Sequence, residues 1–467
     1  MRPDKRFRLP ADRLCSSNGP IGFKFRKIAR VKERMEPRYQ TLVDRLNDAD
    51  REVRLASLGR LMEAVKAEEI ARPAAGDDVN NHIHTTYSFS PYSPTRAIWE
   101  AYRAGLCSAG IMDHDSICGA REFIQAGNIA KIATTIGIEC RVDFSDTPFA
   151  GMTINNPDQR GSAYVALHGF PHTRIDETIA FFKPSIRARV KRIGLMVERI
   201  NAILGKYGIV LDFEKDVVPL SQLNDGGTVT ERHLLFAAAS RLIGVFGKGT
   251  RLLQFIRQQL GLPVTAKAAA LLMDEQNPFY TYDLLGVLKS DFIASCWIDA
   301  TEECPTVSEI VAFARRCSCI CAYPYLGDVA QSATGDKRTQ RFEDEYLDAL
   351  VAFIKKAGFG AISYMPTRNT PAQLARIMAL CLQFDFLQIS GEDINSPRQL
   401  FTCETMRQGS LRHLVDATWA LIGHERAATL NGECSFFSPK IIEKYPDLSK
   451  RIRFFKEIGM SVAAASC

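Results

Sequence analysis

The chain has 467 residues, of which 46% are hydrophobic and 24% charged, and its formal net charge is +6. This length predicts two or three domains, and the composition is typical of a soluble globular protein. No apolar run reaches the roughly 20 residues of a membrane helix and the N-terminus lacks a secretory signal, so we expect a cytoplasmic protein whose 13 cysteines are reduced.

The N-terminal region is basic and helical in pattern. Residues 1–60 contain 16 Lys and Arg against 8 Asp and Glu, which leaves the rest of the chain close to neutral. We expect residues 1–22 to be poorly ordered and residues 23–70 to form a helical hairpin, because apolar residues from Leu46 to Val65 recur near helical spacing. The positive charge fits contact with a nucleic acid or an acidic partner, and it equally fits a solvated helical face.

After a linker, strand patterns alternate with helical patterns in residues 78–174 and again in residues 288–467. Such alternation predicts an α/β domain built on a parallel sheet or barrel, with a C-terminal extension. Residues 175–287 are rich in helical patterns and poor in strands. We therefore expect a helical domain inserted into the α/β domain.

The first predicted strand carries two of the eight histidines, His82 and His84. Residues two apart in a strand point to the same face, with side chains that start about 7 Å apart. The two imidazoles therefore project together and could share a metal ion. By itself such a pair is more often two histidines on the polar face of a sheet.

Further strands end in polar residues. Asp113 and His114 end one apolar run, Glu139 lies within another, and Asp393 follows a third. A carboxylate in or beside a buried strand is costly unless it is paired or bound to a metal. Polar side chains at four strand ends are the pattern of a barrel whose C-terminal rim holds a metal site.

These segments resemble the motifs of the PHP (polymerase and histidinol phosphatase) family. The chain reads HIHTTYS, MDHDSICGA, GIE and GEDIN where that family has H-x-H-T-x-x-S, T-D-H-D-x-x-x-G, G-x-E and G-x-D-x-H. The resemblance covers roughly residues 80–170 and 290–400. It implies a distorted (β/α)7 PHP barrel, here with the helical insertion and the N-terminal hairpin, in which two or three metal ions serve phosphoester hydrolysis.

The resemblance also implies roles for individual residues. It implies a first-metal ligand set of His82, His84, Glu139 and Asp393. Glu139 would bridge to a second ion, and His114 is a ligand of an outer ion or, alternatively, a hydrogen-bonded structural histidine. Asp113 would orient a ligand, and Asp113 and His114 form the predicted catalytic pair. Histidine and carboxylate ligands suit Zn²⁺, Mn²⁺ or Fe²⁺, which can activate water for attack on phosphorus.

Candidate substrate-binding residues lie in the insertion and on the rim. The segments RARVKRIGLMVERINAILGKYGIVLDFE and ERHLLFAAA are similar to the insertion of the PHP branch that dephosphorylates nucleotide 3′,5′-bisphosphates and degrades short RNA from the 5′ end. An Arg-Pro-His segment of that insertion faces the substrate phosphate. Arg232 and His233 occupy the matching place, with a surface helix start as the alternative. Arg368 follows a rim strand, where a guanidinium suits a phosphate or a salt bridge within a loop.

Several positions depart from the family pattern. Asn395 and Tyr323 stand where the family has histidines, and Ala166 stands at a third such position. His168 lies on the same strand face as Ala166 and is included as a displaced metal ligand. Phe89 replaces an acid of the nucleotide-phosphatase branch. We therefore expect one or two metal ions rather than three.

Three functions fit these features. The first is a metal-dependent phosphoesterase acting on a nucleotide, a short RNA or another small phosphorylated metabolite. The second is a metal-dependent hydrolase of a different bond, and the third is an inactive barrel that serves as a binding or regulatory module. The retained first-metal ligands favour the first function, and the departures favour the third. We expect no membrane partner, and the sequence does not specify the oligomeric state.

Overall fold

The computed structural model describes residues 36–74, 76–329 and 341–466. The predictions for residues 1–22 and for the start of the 23–70 hairpin lie outside the described residues. Seven strands form one sheet in which each strand pairs with the next in sequence. They are β1 Val79–Ile83, β2 Ser108–His114, β3 Ala133–Asp143, β4 Ser162–His168, β5 Ile320–Tyr325, β6 Ala361–Tyr364 and β7 Leu387–Ser390.

Fifteen α-helices lie within the described ranges. In chain order they are α1 Pro37–Asp44, α2 Arg51–Lys66, α3 Pro94–Ala104, α4 Ala120–Ala130, α5 Ile175–Leu204, α6 Glu231–Phe246, α7 Thr250–Gln254, α8 Ala266–Met273, α9 Tyr280–Val287, α10 Val307–Cys317, α11 Leu347–Ala357, α12 Pro371–Gln383, α13 His413–Leu430, α14 Pro439–Lys444 and α15 Leu448–Ser466. None of them is both long and apolar enough to cross a membrane.

Local sequence signals explain where helices begin and end. The Ser93 side chain accepts a hydrogen bond from Arg96 N, and Pro94 opens α3 with a φ already suited to a helix. The same helix ends at Gly105, whose φ of +81° few other residues tolerate. The helix thus starts a short, fixed distance after His82 of β1 and His84, which directly follows β1.

The sheet closes into a nearly complete barrel through the segment that follows β7. Ile394 N donates to His82 O at 3.0 Å, and His84 N donates to Ile394 O at 2.9 Å. Asn81 Nδ2 also donates to Ser390 O at 2.8 Å. These bonds join the first and last strands, and the predicted fold class, a distorted seven-stranded α/β barrel, is confirmed.

One strand runs against the expected parallel arrangement, because β4 is antiparallel to both β3 and β5. A parallel strand needs a long crossover connection, which usually contains a helix. Residues 144–161, which connect β3 to β4, contain no helix. In consequence the C-terminal end of β4 lies at the opposite end of the barrel from the other strand ends. His168 pairs with Gly137, while Ala166 pairs with Glu139.

The barrel interior is lined by small residues and is filled from one end by α13. Met112, Ala166, Ala322 and Ala361 form a buried cluster with Ala417, Ala420 and Leu421 of that helix. Glu425 of α13 accepts a hydrogen bond from Ile136 N near the start of β3. The helix therefore lies at the end of the barrel where the parallel strands begin, and the opposite rim is left for the polar strand ends.

A second core belongs to the insertion. Buried apolar residues from Ile193 to Cys296 pack together, so this core continues past residue 287, where we placed the end of the insertion. Phe89, which follows β1, also packs into this cluster. Arg54 of α2 forms a buried ion pair with Glu122 of α4, which docks α2 against α4.

Candidate metal centre

Three side chains on the rim place their ligand atoms within 4.8 Å of one another, namely His82, His84 and Glu139. Glu139 Oε2 lies 3.8 Å from His82 Nε2 and 4.0 Å from His84 Nε2. The alternation of β1 puts both imidazoles on the inner face, and β3 brings the carboxylate beside them. Two nitrogen ligands and one oxygen ligand in this arrangement could hold a divalent metal ion.

Two more predicted ligands adjoin this group. His114 pairs with Glu139 across β2 and β3, and its Nδ1 lies 3.3 Å from Glu139 Oε2. Asp393 Oδ1 lies 3.2 Å from His84 Nε2, because the backbone bonds of Ile394 hold this segment against β1. We call His82, His84, His114, Glu139 and Asp393 the rim cluster.

Asp113 lies behind the rim cluster and fixes the loop that follows β1. It accepts hydrogen bonds of 2.6 Å from Thr85 N, Thr85 Oγ1 and Ser88 Oγ. Ser88 Oγ lies 3.2 Å from His84 Nδ1. Because the Ser88 proton goes to Asp113, Ser88 accepts the Nδ1 proton of His84, and Nε2 is the ring nitrogen that faces Asp393.

Charge and burial act on the cluster in opposite directions. Burial lowers the pKa of His82, but the charge and hydrogen bond of Glu139, together with the charges of Asp393 and Glu392, outweigh burial and raise the pKa. Burial opposes ionisation of Asp393, yet the hydrogen bond with His84 and the positive charges of His84, His82 and Arg232 hold its pKa well below the usual range. The carboxylate is therefore present in its ligand form.

His114 is kept neutral by its surroundings. Burial, the neighbouring His84, and the positive charges of Arg189 and Arg141 hold its pKa well below the usual value. Its ring also lies 5.8 Å from the ring of Tyr164. A neutral imidazole is the form that binds a metal ion.

Two buried atoms show that the residues present fit a metal ion. His82 Nε2 and His114 Nδ1 have no hydrogen-bond partner within the described ranges, and both lie on the Glu139 side of their rings. Buried polar atoms are rarely left without a partner. A bound cation would satisfy both nitrogens and the shared carboxylate.

His168, the predicted displaced ligand, lies apart from the rim cluster. The reversed direction of β4 carries it two residues deeper into the barrel than Ala166, which is level with Glu139. Its buried Nε2 has no partner among the described residues, and burial followed by the charge of His82 lowers its pKa to about 3. The structure therefore brings together five of the six predicted ligands.

The predicted substrate-binding residues have different surroundings. Arg232 is the second residue of α6, half-buried, and its charge acts on Asp393. His233 caps the same helix, since its Nδ1 accepts from Thr230 N at 2.9 Å, and burial lowers its pKa to about 3. Arg368 follows β6 and donates to Leu326 O at 3.1 Å.

Two departures from the family pattern have structural explanations. Tyr323 faces outward into the core between the strands and the outer helices, whereas its neighbour Ala322 faces the barrel interior. Asn395 donates from Nδ2 to Asp393 Oδ1 at 2.6 Å. Tyr323 therefore does not reach the rim cluster, and the Asn395 amide contacts the cluster as a hydrogen-bond donor.

Sequence reasoning missed a buried charge network that joins the barrel to the insertion. It consists of Arg141, Arg189, Arg192, Asp115, Glu231 and Glu303, all buried. Arg141 contacts Glu231 at 2.8 Å and Glu303 at 3.0 Å, and Arg189 contacts Asp115 at 2.5 Å. Three positive and three negative charges can satisfy one another in this way. One signal was available, because Arg141 follows Glu139 by two residues and therefore shares its strand face.

Comparisons with known proteins match only part of the chain. No family model matches. Error-prone DNA polymerases of Mycobacterium bovis and Mycobacterium tuberculosis are 37% identical over 60 residues, which is 12% of this chain and 6% of those proteins. The match thus spans a small part of the length of these relatives.

Two solved structures are similar to the chain. One is a proposed metal-dependent phosphoesterase from Bifidobacterium adolescentis, with 19% identity, a TM-score of 0.46, and coverage of 72% of this chain and 96% of that chain. The other is an amidohydrolase from Chromobacterium violaceum, with 14% identity, a TM-score of 0.47, and coverage of 70% and 90%. Similarity at this level carries no information about activity.

Proposed function

We propose that this protein is a metal-dependent phosphoesterase of the PHP type. The observation that carries the proposal is the rim cluster, in which three imidazoles and two carboxylates converge from separate strand ends. The substrates that we propose are phosphate monoesters or diesters of nucleotides, short RNA or other small phosphorylated metabolites. Two arginines near the cluster, Arg232 and Arg368, support a phosphate over a neutral substrate.

The ligand set indicates which ions would bind. Imidazole and carboxylate donors suit Zn²⁺, Mn²⁺ or Fe²⁺. His82, His84, Glu139 and Asp393 would hold one ion, and His114 would share Glu139 with a second. An ion in such a site lowers the pKa of water and offsets the negative charge of a phosphoryl group.

The protein's own residues prepare the site for this chemistry. Asp113 acts through Ser88 to keep the proton of His84 on Nδ1, so that Nε2 faces the cluster. Arg232 offers positive charge beside Asp393 for a phosphate oxygen.

An inactive binding module is the second candidate, and Asn395 favours it. Its amide donates to Asp393 Oδ1 and thereby occupies one oxygen of a predicted ligand. A metal-dependent hydrolase of another bond would use the same rim cluster. The two arginines favour the phosphoesterase over that hydrolase.

Metal content and phosphate release test the proposal together. We expect purified full-length protein to hold at least about one equivalent of Zn, Mn or Fe, measured by elemental analysis. We expect it to hydrolyse at least one member of a panel of nucleotide 3′,5′-bisphosphates, short RNA, sugar phosphates and histidinol phosphate. Released phosphate measures hydrolysis of the monoesters, and released nucleotides measure hydrolysis of the RNA.

Matched variants locate the activity in the rim cluster. Glu139→Gln should remove metal and activity, whereas His413→Gln, which changes a histidine outside the cluster, should retain both. Protein that holds no stoichiometric metal would refute both hydrolase functions. If the protein binds metal and hydrolyses amides but no phosphate ester, the result would favour a metal-dependent hydrolase of another bond.

A further inference from the structure

The first turn of α6 contacts the barrel on both sides of Arg232. The helix starts at Glu231, with Thr230 as its N-cap, so that Glu231, Arg232 and His233 are its first three residues. The outer two have side chains buried against barrel residues, and Arg232 is half-buried between them. Of these three residues, Arg232 is therefore the one whose side chain is only partly buried.

Glu231 is held by the charge network. Its Oε1 lies 2.8 Å from Arg141 Nη1 of β3 and 2.5 Å from Arg192 Nη2 of α5, and its Oε2 lies 4.0 Å from Arg189 Nη1. A buried carboxylate with this many charged partners has little freedom to move, because leaving them would strand uncompensated charges. Glu231 thus ties the start of α6 to a strand of the barrel.

His233 is held by Phe89. The two rings meet edge to face with centroids 5.0 Å apart, and Phe236 and Tyr282 lie 6.0 Å from Phe89 on the insertion side. Phe89 directly follows Ser88, which contacts His84 of the rim cluster. The loop that supports a predicted metal ligand therefore also packs against the start of α6.

Arg232 itself is left available for a ligand. Across the ranges that the structure describes, it forms no ion pair within 4 Å. Its neighbours place it near the rim cluster, because Glu231 contacts Arg141, two residues from Glu139, and His233 contacts Phe89, next to Ser88. A guanidinium held near a metal site but not neutralised by a carboxylate is suited to bind a phosphate oxygen.

We propose that Glu231 and Phe89 are positioning residues, which clamp the first turn of α6 from both sides and thereby hold Arg232 at the rim cluster to receive a phosphoryl group. This inference rests on the proposed phosphoesterase function and adds the residues that determine where the phosphate is held. Pre-organised placement of this kind raises affinity because the guanidinium need not be ordered when the ligand binds. It also gives Phe89, at a position where relatives carry an acid, a specific structural role.

Inorganic phosphate is the probe that tests the clamp. We would titrate it calorimetrically into metal-loaded full-length protein and into variants with the same metal content. Arg232→Ala should weaken binding by about 10- to 100-fold, as expected for loss of a charged hydrogen bond. Glu231→Gln and Phe89→Leu should each weaken it by about three- to tenfold, because they displace the guanidinium without removing it.

A double-mutant cycle separates positioning from general damage. In the Arg232→Ala background, Glu231→Gln and Phe89→Leu should cause no further loss of phosphate affinity, because the group that they position is absent. Phe89→Leu keeps the insertion core filled, so the cycle can be completed even if Glu231→Gln does not fold.

Two control variants match these changes. Glu122→Gln makes the same substitution in a buried ion pair outside the charge network, the pair of Glu122 with Arg54. Arg241→Ala removes an arginine of α6 that pairs with Asp216 at the surface. Both controls should bind phosphate as the wild type does.

The outcomes distinguish the inference from the proposed function. Wild-type affinity in Glu231→Gln and Phe89→Leu, or losses that add fully to that of Arg232→Ala, would overturn the clamp while leaving the metal and hydrolysis results intact. Wild-type protein that holds metal and hydrolyses phosphate esters but binds phosphate independently of Arg232 would also overturn it. Protein without metal would overturn the proposed function, and the clamp with it.

Discussion

Ser88 offers a sharp test of how the rim cluster is built. Its hydroxyl accepts the Nδ1 proton of His84 at 3.2 Å and donates to Asp113 at 2.6 Å. In Ser88→Ala, His84 Nδ1 loses its acceptor, so nothing holds the proton away from Nε2. Asp113 keeps both hydrogen bonds from Thr85, so the loop should stay in place and the effect should be confined to His84.

The expected magnitude is that of removing a single hydrogen-bond acceptor. Removing the hydrogen-bond partner of a metal-ligating histidine costs about 10- to 100-fold in metal affinity, or about 1.4–2.7 kcal/mol. Because only one ligand of the cluster loses its support, we expect Ser88→Ala to weaken zinc binding by about tenfold and not to abolish it.

Competition with a chromophoric chelator at constant pH measures this change. Ser90→Ala is a matched control in the same loop, since Ser90 Oγ is also buried but has no hydrogen-bond partner among the described residues. If Ser88→Ala bound zinc as tightly as the wild type, or if Ser90→Ala lost as much affinity, the hydrogen-bond relay to His84 would be refuted.

Three further predictions concern stability. Glu303→Gln should lower the free energy of unfolding by about 3–5 kcal/mol in urea titrations, because three buried arginines would then be paired with only two buried carboxylates. Glu433→Gln, in an exposed pair with Lys440, should leave the free energy of unfolding nearly unchanged. Burial raises the pKa of Glu343 to about 7 from a usual value near 4.5, so the folded protein keeps this carboxyl protonated to higher pH than the unfolded chain does. The stability that this proton contributes is fully present below pH 4.5 and is lost as the pH rises to 7. Unfolding free energies measured across this range should therefore fall by about 3 kcal/mol more in the wild type than in Glu343→Gln. Chelation of metal should lower the melting temperature of the wild type, and it should not lower that of Glu139→Gln.

Each of these predictions has a result that would contradict it. A change under about 1 kcal/mol for Glu303→Gln would mean that water or relaxation replaces its ion pairs. Parallel pH profiles for the wild type and Glu343→Gln would show that this carboxyl titrates normally in the folded state. Equal responses to chelator in the wild type and Glu139→Gln would place the metal elsewhere.

Local pattern in the sequence determined much of the architecture. Strand–helix alternation predicted the α/β barrel, because buried strands and amphipathic helices have distinct periods that can be read within short windows. The spacing of His82 and His84 predicted one shared face for the same reason. The C-terminal ends of parallel strands lie at the same rim of a barrel, and β1 is one of these strands. The two histidines therefore lie at that rim.

The tertiary structure decided the features that depend on distant parts of the chain. The direction of β4, and with it the position of His168, depends on a connection that lacks a helix. Asp393 reaches His84 only because backbone bonds of Ile394 close the barrel. The charge network brings Glu231 of α6 to Arg141 of β3, which is 90 residues earlier in the chain. Such contacts are set by chain closure and burial of charge, and no local periodicity in the sequence records them.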